Sequence, residues 1–269
     1  AQSPVLSSLP SNIAYTENDS PTLISPTIII SDVDNSGYRF GSLRVVNANA
    51  ANTDRIGIRN EGTGATQINV VGSEVFLGTT RLGSFSGGIG KGPDFTVTFD
   101  AAITQSQVAS LMRNLTFVSQ GEAPLPGDTS IRYFLTDSSG AVALIPTITA
   151  TVTSVNDAPV VNGPTNQSVA ANSSLTFSTA NADVVSIIDP DAGNAIIELQ
   201  LVATNGNVTL SGTTGLTFPS GSNGTTAFTI RGSRASINSA LLGMTYQPTL
   251  TSTGSGSIVL TANDLGRTG

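Results

Sequence analysis

The stretch Thr147-Ile148-Thr149-Ala150-Thr151-Val152-Thr153-Ser154-Val155, followed by Asn156-Asp157-Ala158-Pro159-Val160-Val161, decides how the chain divides. Up to Val155 the β-branched alternation is that of a strand, and Pro159, lacking an N–H and fixed in φ, forbids its smooth continuation. A new strand-like run opens at Val160. The chain's own start, Ser3-Pro4-Val5-Leu6, looks like the second half of the same hinge. Two copies of one unit are therefore expected, residues 1–156 and 157–269. Asn156 and Asp157 put oxygen ligands at the tip where two domains would meet, a place for a hard cation to stiffen the joint.

Length permits this division, because 269 residues suffice for two domains that each bury a core. Only 11% of residues are charged and the net charge is −7. Phosphate binding needs clustered Lys and Arg, and Lys91 is the only lysine, so no nucleic-acid partner is expected. The absence of Cys excludes disulfides and thiolate chemistry. The absence of His excludes an imidazole zinc site and a Ser-His-Asp triad. No apolar run reaches membrane-spanning length, and no signal peptide is present, which reads as a mature product or a segment of something longer.

Outward from the hinge, the first unit alternates short apolar runs with Gly-rich breaks, the pattern of many-stranded β architecture. Thr27-Ile28-Ile29-Ile30 reads as a buried strand, and Ser31-Asp32-Val33-Asp34-Asn35-Ser36-Gly37 as an acidic turn. One helix interrupts the strands. Thr104 is a good N-cap, and Val108, Leu111, Met112 and Leu115 fall at i, i+3, i+4 and i+7. Ile131, Tyr133 and Leu135 then alternate toward the turn Thr136-Asp137-Ser138-Ser139-Gly140.

The second half repeats this order. Ser233 stands where Thr104 stood, Ile237, Ala240, Leu241 and Met244 repeat the apolar face, and Tyr246 takes the place of Phe117. Ile188-Asp189-Pro190-Asp191-Ala192-Gly193 echoes Ser31 to Gly37, while Asn263-Asp264-Leu265-Gly266 echoes the Asp137 turn. Several independent marks in one order identify an internal repeat. Two differences stand out. The first unit has a long Gly-rich excursion, roughly Asn52 to Asp94. The second stops before any counterpart of Ile145 to Val155, so its last strand is either cut from a parent chain or supplied by a neighbouring molecule.

Calcium takes six to eight oxygen ligands, which suits acidic loops gathered at one end of a sandwich. Glu17, Asp32, Asp34 and Asp137 all lie in connecting turns of the first unit, and Asp189, Asp191 and Asp264 recur in the second, with Asn156 and Asp157 available from the hinge. Single Asp-X-Asp and Asp-Ser-Ser-Gly turns also bond their own backbone. Recurrence of both turns in both units favours a metal. The second unit has Ala171-Asn172-Ser173 where the first has Glu17, so its site is expected to be weaker or differently built. Paired carboxylates can also serve glycoside hydrolysis, but these lie in hydrated turns without Trp, and no enzyme activity is expected.

The run Asp54-Arg55-Ile56-Gly57-Ile58-Arg59-Asn60-Glu61-Gly62-Thr63-Gly64, then Gly83-Ser84-Phe85-Ser86-Gly87-Gly88, Phe95-Thr96-Val97-Thr98-Phe99, the Thr104-to-Phe117 helix and the closing Val155-Asn156-Asp157-Ala158-Pro159 resembles the cadherin-like tandem repeats of large bacterial surface and secreted proteins. The resemblance implies an all-β fold of two tandem cadherin/Ig-like β-sandwiches, here each with one short helix. It implies calcium held by a Glu motif (Glu17), an Asp-X-Asp loop (Asp32 with Asp34, Asp189 with Asp191) and an Asn-Asp-Ala-Pro linker (Asn156 with Asp157). It also implies an extracellular, adhesive or structural role as a calcium-rigidified stalk or filament block, with neighbouring repeats or subunits of the same protein as partners. Two other roles are open: a glycan- or protein-binding module acting through the Asn52-to-Asp94 excursion, and a subunit of a strand-donating noncovalent polymer.

Overall fold

The computed structural model describes residues 2–34, 37–100, 103–144, 147–170, 172–249 and 254–266. The fold is all-β, in several sheets, with two short α-helices among the described residues. The chain separates into two compact units, Ala1–Ser154 and Val155–Gly269.

The first unit runs β1 (Val5–Ser7), β2 (Asn12–Thr16), β3 (Thr22–Leu23), β4 (Ile29–Ser31), β5 (Ser42–Ala48), β6 (Asp54–Ile58), β7 (Ile68–Val71), β8 (Glu74–Leu77), β9 (Thr80–Ser86) and β10 (Phe95–Phe99). There follow α1 (Gln105–Arg113), β11 (Leu115–Ser119), β12 (Gly127–Thr136), β13 (Val142–Leu144) and β14 (Ile148–Thr153). The larger sheet has the order β2-β14-β12-β5-β10-β9-β8-β7, with β13 also on β12. Its pairs are antiparallel except β14 with β2. A second sheet has the order β3-β11-β6, and β1 pairs with β4. Strand alternation drives the packing: on β12, Ile131, Tyr133 and Leu135 are fully buried, and on β10 so are Phe95, Val97 and Phe99.

The second unit runs β15 (Val160–Asn162), β16 (Leu175–Thr176), a single 3₁₀ turn (Thr179–Asn181), β17 (Ser186–Ile188), β18 (Ile196–Thr204), β19 (Gly206–Thr209), β20 (Thr217–Ser220), β21 (Ala227–Ser233), α2 (Arg234–Leu241), β22 (Thr245–Pro248) and β23 (Ser257–Asn263). Its sheets, β20-β21-β18-β23, β16-β22-β19 and β15-β17, repeat the orders β9-β10-β5-β12, β3-β11-β6 and β1-β4. The internal repeat thus extends from sequence to topology.

Each helix is fixed where its spacing placed it. Thr104 and Gln107 form a reciprocal capping box at α1, and the Ser233 hydroxyl accepts from the Ser236 N–H at α2. Val108, Leu111 and Met112 are fully buried, as are Ile237, Leu241 and Met244. The helices also pair side chains with the strand that feeds each Asp-X-Asp loop. Gln105 Nε2 donates to the Ile30 carbonyl, and Asn238 bonds both the N–H and the carbonyl of Ile187.

Two expectations change. Thr27 to Ile30 is not a buried strand: the strand is Ile29–Ser31, and Ile29 is 50% exposed while Ile28 and Ile30 are buried. The strand pairs with β1 and buries one face only, so alternation replaces a continuous apolar run. The Asn52-to-Asp94 excursion also proves mostly ordinary, since β6 and β9 have the counterparts β19 and β20, and only the β7–β8 hairpin is extra. That hairpin extends the large sheet and contributes Ile68 and Val75 to the core.

Candidate metal sites

In the first unit the acidic loop after β4 and the turn after β12 meet. Asp32, Asp34 and Asp137 each offer a carboxylate oxygen, and these oxygens lie within 4.8 Å of one another. Oxygens bound to one calcium at about 2.3–2.6 Å can stand no more than about 5 Å apart, so this spacing fits a shared ion. The loops are tied by the Ser138 N–H donating to the Gly37 carbonyl (3.1 Å). Asp137 is buried, and its Oδ1 accepts from the Ser139 N–H (2.8 Å), the Ser139 hydroxyl (2.6 Å) and the Ala141 N–H (2.9 Å). The Gln2 N–H donates to Asp34 Oδ2.

Two residues that the sequence reading passed over shape this site. Tyr38 is 1% exposed and its hydroxyl has no hydrogen-bond partner among the described residues. Burial first, then the negative charges of Asp32 and Asp137, push its ionisation well above the ordinary range. Gly41 lies against the end of β12, where a Cβ would stand 2.2 Å from the Thr136 carbonyl oxygen. The signal for Tyr38 was available, as an aromatic directly after an acidic loop. The need for glycine at 41 arises from a strand remote in sequence and was not.

In the second unit the residues at the matching positions are linked by hydrogen bonds. Asp189 is 1% exposed, and its Oδ1 accepts from the N–H groups of Asp191 (3.1 Å) and Ala192 (2.9 Å). The Asp157 N–H donates to Asp191 Oδ2, the same bond in the same register as Gln2 to Asp34. The Asn156 amide donates to Asp264 Oδ2, and the Gly266 N–H donates to Asp264 Oδ1 (2.9 Å). These two contacts, the amide of Asn156 foremost, hold the Asp264 carboxyl below its ordinary 3.8.

In Asp189 and Asp191 one carboxylate oxygen accepts from the loop backbone and the other is left over. Asn156 Oδ1, Asp157 Oδ2, Asp189 Oδ2 and Asp191 Oδ1 are buried without a hydrogen-bond partner. A buried carboxylate oxygen without a donor costs free energy, and oxygen is the ligand a hard cation takes, although the Arg234 guanidinium also reaches this loop by donating to the Asp189 carbonyl. An Asx turn by itself would need only the first oxygen.

The remaining expected ligand, Glu17, follows β2 in the first unit, where it is 4% exposed and its N–H donates to the Thr153 carbonyl (2.9 Å). Asn156 and Asp157 belong to the second unit. Asn156 and Asp157 stand where the first unit has Ala1 and Gln2, so the second unit has two more oxygen-bearing side chains at this place.

The first unit also holds a cleft of about 740 Å³ beside the excursion, lined by residues that include Asn47, Asn49, Asn52, Lys91 and Asp94. No protein-family model matches the chain, and no curated protein matches it.

Proposed function

We propose that this chain is a structural, adhesive repeat module of an extracellular surface protein, with calcium tying together the acidic loops of each unit. The observation that carries the reading is the gathering of three carboxylates in the first unit, together with hydrogen-bonded acidic loops at the matching positions of a second unit of the same topology. Asp32, Asp34 and Asp137 gather in the first, and Asn156, Asp157, Asp189, Asp191 and Asp264 are linked in the second. Without an ion, the like charges of Asp32 and Asp137 repel by about 3 kcal/mol at this spacing and an effective dielectric near 20. A divalent cation reverses the sign of that interaction and satisfies the leftover oxygens. In this reading the module serves as a stalk or filament block at a bacterial cell surface, partnered by neighbouring repeats or subunits of the same protein.

Thermal melting in calcium against chelator tests the reading. A ligand specific to the native state, present at a hundredfold excess over its Kd, adds about 2.7 kcal/mol. For domains of this size each kcal/mol moves Tm by about 2–4 °C, so a rise of roughly 5–10 °C is expected. Asp137→Asn and Asp189→Asn should each remove part of it. A melt indifferent to calcium returns the loops to simple Asx turns.

The Asn-rich cleft beside the excursion favours a second reading, a module that binds a cell-surface glycan or protein there. Loss of cell or glycan binding on substituting Asn52 and Lys91 with Ala, with the melt unchanged, would select it.

A further inference from the structure

We propose that the cleft at one end of the first unit binds a carboxylate-bearing saccharide, with Lys91 facing the carboxylate and the amides of Asn49 and Asn52 taking hydroxyls. The proposal rests on the second reading above, that this cleft takes a ligand, and it does not depend on calcium. β12 starts at the cleft end of the unit and finishes at the Asp137 turn, so the acidic loops lie at the other end.

Comparison of the two units shows that the fold does not require this cleft. β18 passes to β19 through Asn205 alone, whereas β5 and β6 are joined by Asn49, Ala50, Ala51, Asn52 and Thr53. Asn49 and Asn205 both sit in the left-handed region, at φ +64° and +56°, so the turn is shared and four residues are added after it. The addition is held firmly. The Gly90 N–H donates to the Asp54 carbonyl (2.8 Å) and the Ile56 N–H to the Gly88 carbonyl (2.9 Å), which seats the β9–β10 loop on the β5–β6 loop. At Gly90 φ is +53° and a Cβ would stand 2.7 Å from the Asn52 carbonyl oxygen, so glycine is required there. With Ala123 and Leu125 from the loop before β12, these two loops enclose about 740 Å³, inside the range of roughly 300–1,000 Å³ usual for small-ligand sites.

Most polar groups around the cleft are engaged with one another. The buried Asp54 accepts from the Ser119 hydroxyl and the Ala51 N–H, Thr53 bonds Ser119, and the Asn47 side-chain oxygen accepts from Thr129. The Arg55 guanidinium donates to the carbonyls of Asn52 and Asp54, and Arg44 pairs with Asp94 at 3.1 Å. Three groups on the cleft wall remain. The side-chain amides of Asn49 and Asn52 and the ammonium of Lys91 have no partner among the described residues.

These three groups select the ligand. Lys91 is the only lysine in a chain of net charge −7, and Asp94 beside it is neutralised by Arg44, so the one unpaired charge on the wall is positive. A single ammonium suits a carboxylate, whereas a phosphate carrying about two negative charges calls for several cationic donors. Each amide offers a donor and an acceptor together, which is what neighbouring hydroxyls on a sugar ring require. The apolar part of the wall is shallow: Phe95 is 1% exposed and Leu125 alone stands well clear of the surface, at 70%. A peptide would be anchored by aromatic or aliphatic side chains in deep apolar sockets, so a polyhydroxylated acid is the better match.

The test titrates the full chain with trigalacturonate, trimannuronate and sialyllactose, each beside its methyl ester, and with tetraglutamate. It runs in calcium-free buffer below the calcium-free melt, and binding is followed by calorimetry and by amide NMR shifts. The expected result is saturable binding of at least one acid, with shifts confined to residues 49–53 and 88–94 and its ester at least tenfold weaker. Lys91→Gln should abolish the difference between acid and ester, and Asn52→Ala should weaken both, with Tm unchanged because both side chains are exposed. Acid and ester binding alike in the cleft would overturn the charge assignment and leave the glycan reading standing. No binding by any of the three acids, or shifts outside the cleft, would overturn both. Tetraglutamate binding as tightly as the acids, through Lys91, would overturn the saccharide and assign the cleft to an acidic polypeptide.

Discussion

At the scale of single residues, the carboxylates do two jobs with their two oxygens, and each can be tested separately. Asp264 is held below 3.8 by the Asn156 amide and the Gly266 N–H. A depressed carboxyl contributes stability that is full above its unfolded value and is lost as pH falls through the folded one. In chelator, the Asp264 carboxyl should therefore titrate below 3.8 by NMR, and Asn156→Ala should move it upward. Tyr38→Phe removes a buried hydroxyl that has no hydrogen-bond partner. Without metal this should be neutral or stabilising by up to about 1 kcal/mol. In calcium the same change should weaken binding if that hydroxyl holds a water on the ion, and calorimetry with both forms separates the effects. Gly41→Ala places a Cβ against the Thr136 carbonyl and should cost about 1–3 kcal/mol by denaturant unfolding while also lowering calcium affinity, because Asp137 is the next residue.

At the scale of elements, the helices matter more than their length suggests. Each carries an apolar face into the core and hydrogen-bonds the strand preceding an acidic loop, so it anchors that loop from behind. Truncating that face, as in Met112→Ala or Leu241→Ala, should cost about 2–5 kcal/mol in urea unfolding because both side chains are fully buried. The spacing i, i+3, i+4, i+7 made both helices legible, since a helix is specified by neighbours within a turn or two. Ile29 was misplaced for the converse reason: four β-branched residues in a row have no period, and only pairing with β1 decided which faced inward. The β7–β8 hairpin was hidden likewise, because Gly-rich flanks read as loop whether or not the strands between them find a sheet.

At the scale of the molecule, two units built on one strand order differ where the sheet ends. The first encloses β12, and the second leaves β23 at an edge among the described residues. Exchange rates should follow that difference, with β12 amides among the slowest in the chain and β23 amides faster by orders of magnitude. The calcium response belongs to this scale as well, since an ion bound only by native loops stabilises the whole unit that forms them.

Sequence alone determined the internal repeat, the helices with their caps, and which acidic residues stand in turns, because these depend on periodicity, on proline and on residues a few positions apart. It also singled out Asp32, Asp34 and Asp137, whose carboxylate oxygens gather in the first unit. Only the tertiary structure decided that Asp32 and Asp137 meet, that one oxygen of Asp189 is taken by the loop while the other is left buried, and that Asn156 joins Asp264. Those relations follow from the order of strands in a sheet, which brings together the ends of elements far apart in the chain, and no local pattern encodes that order.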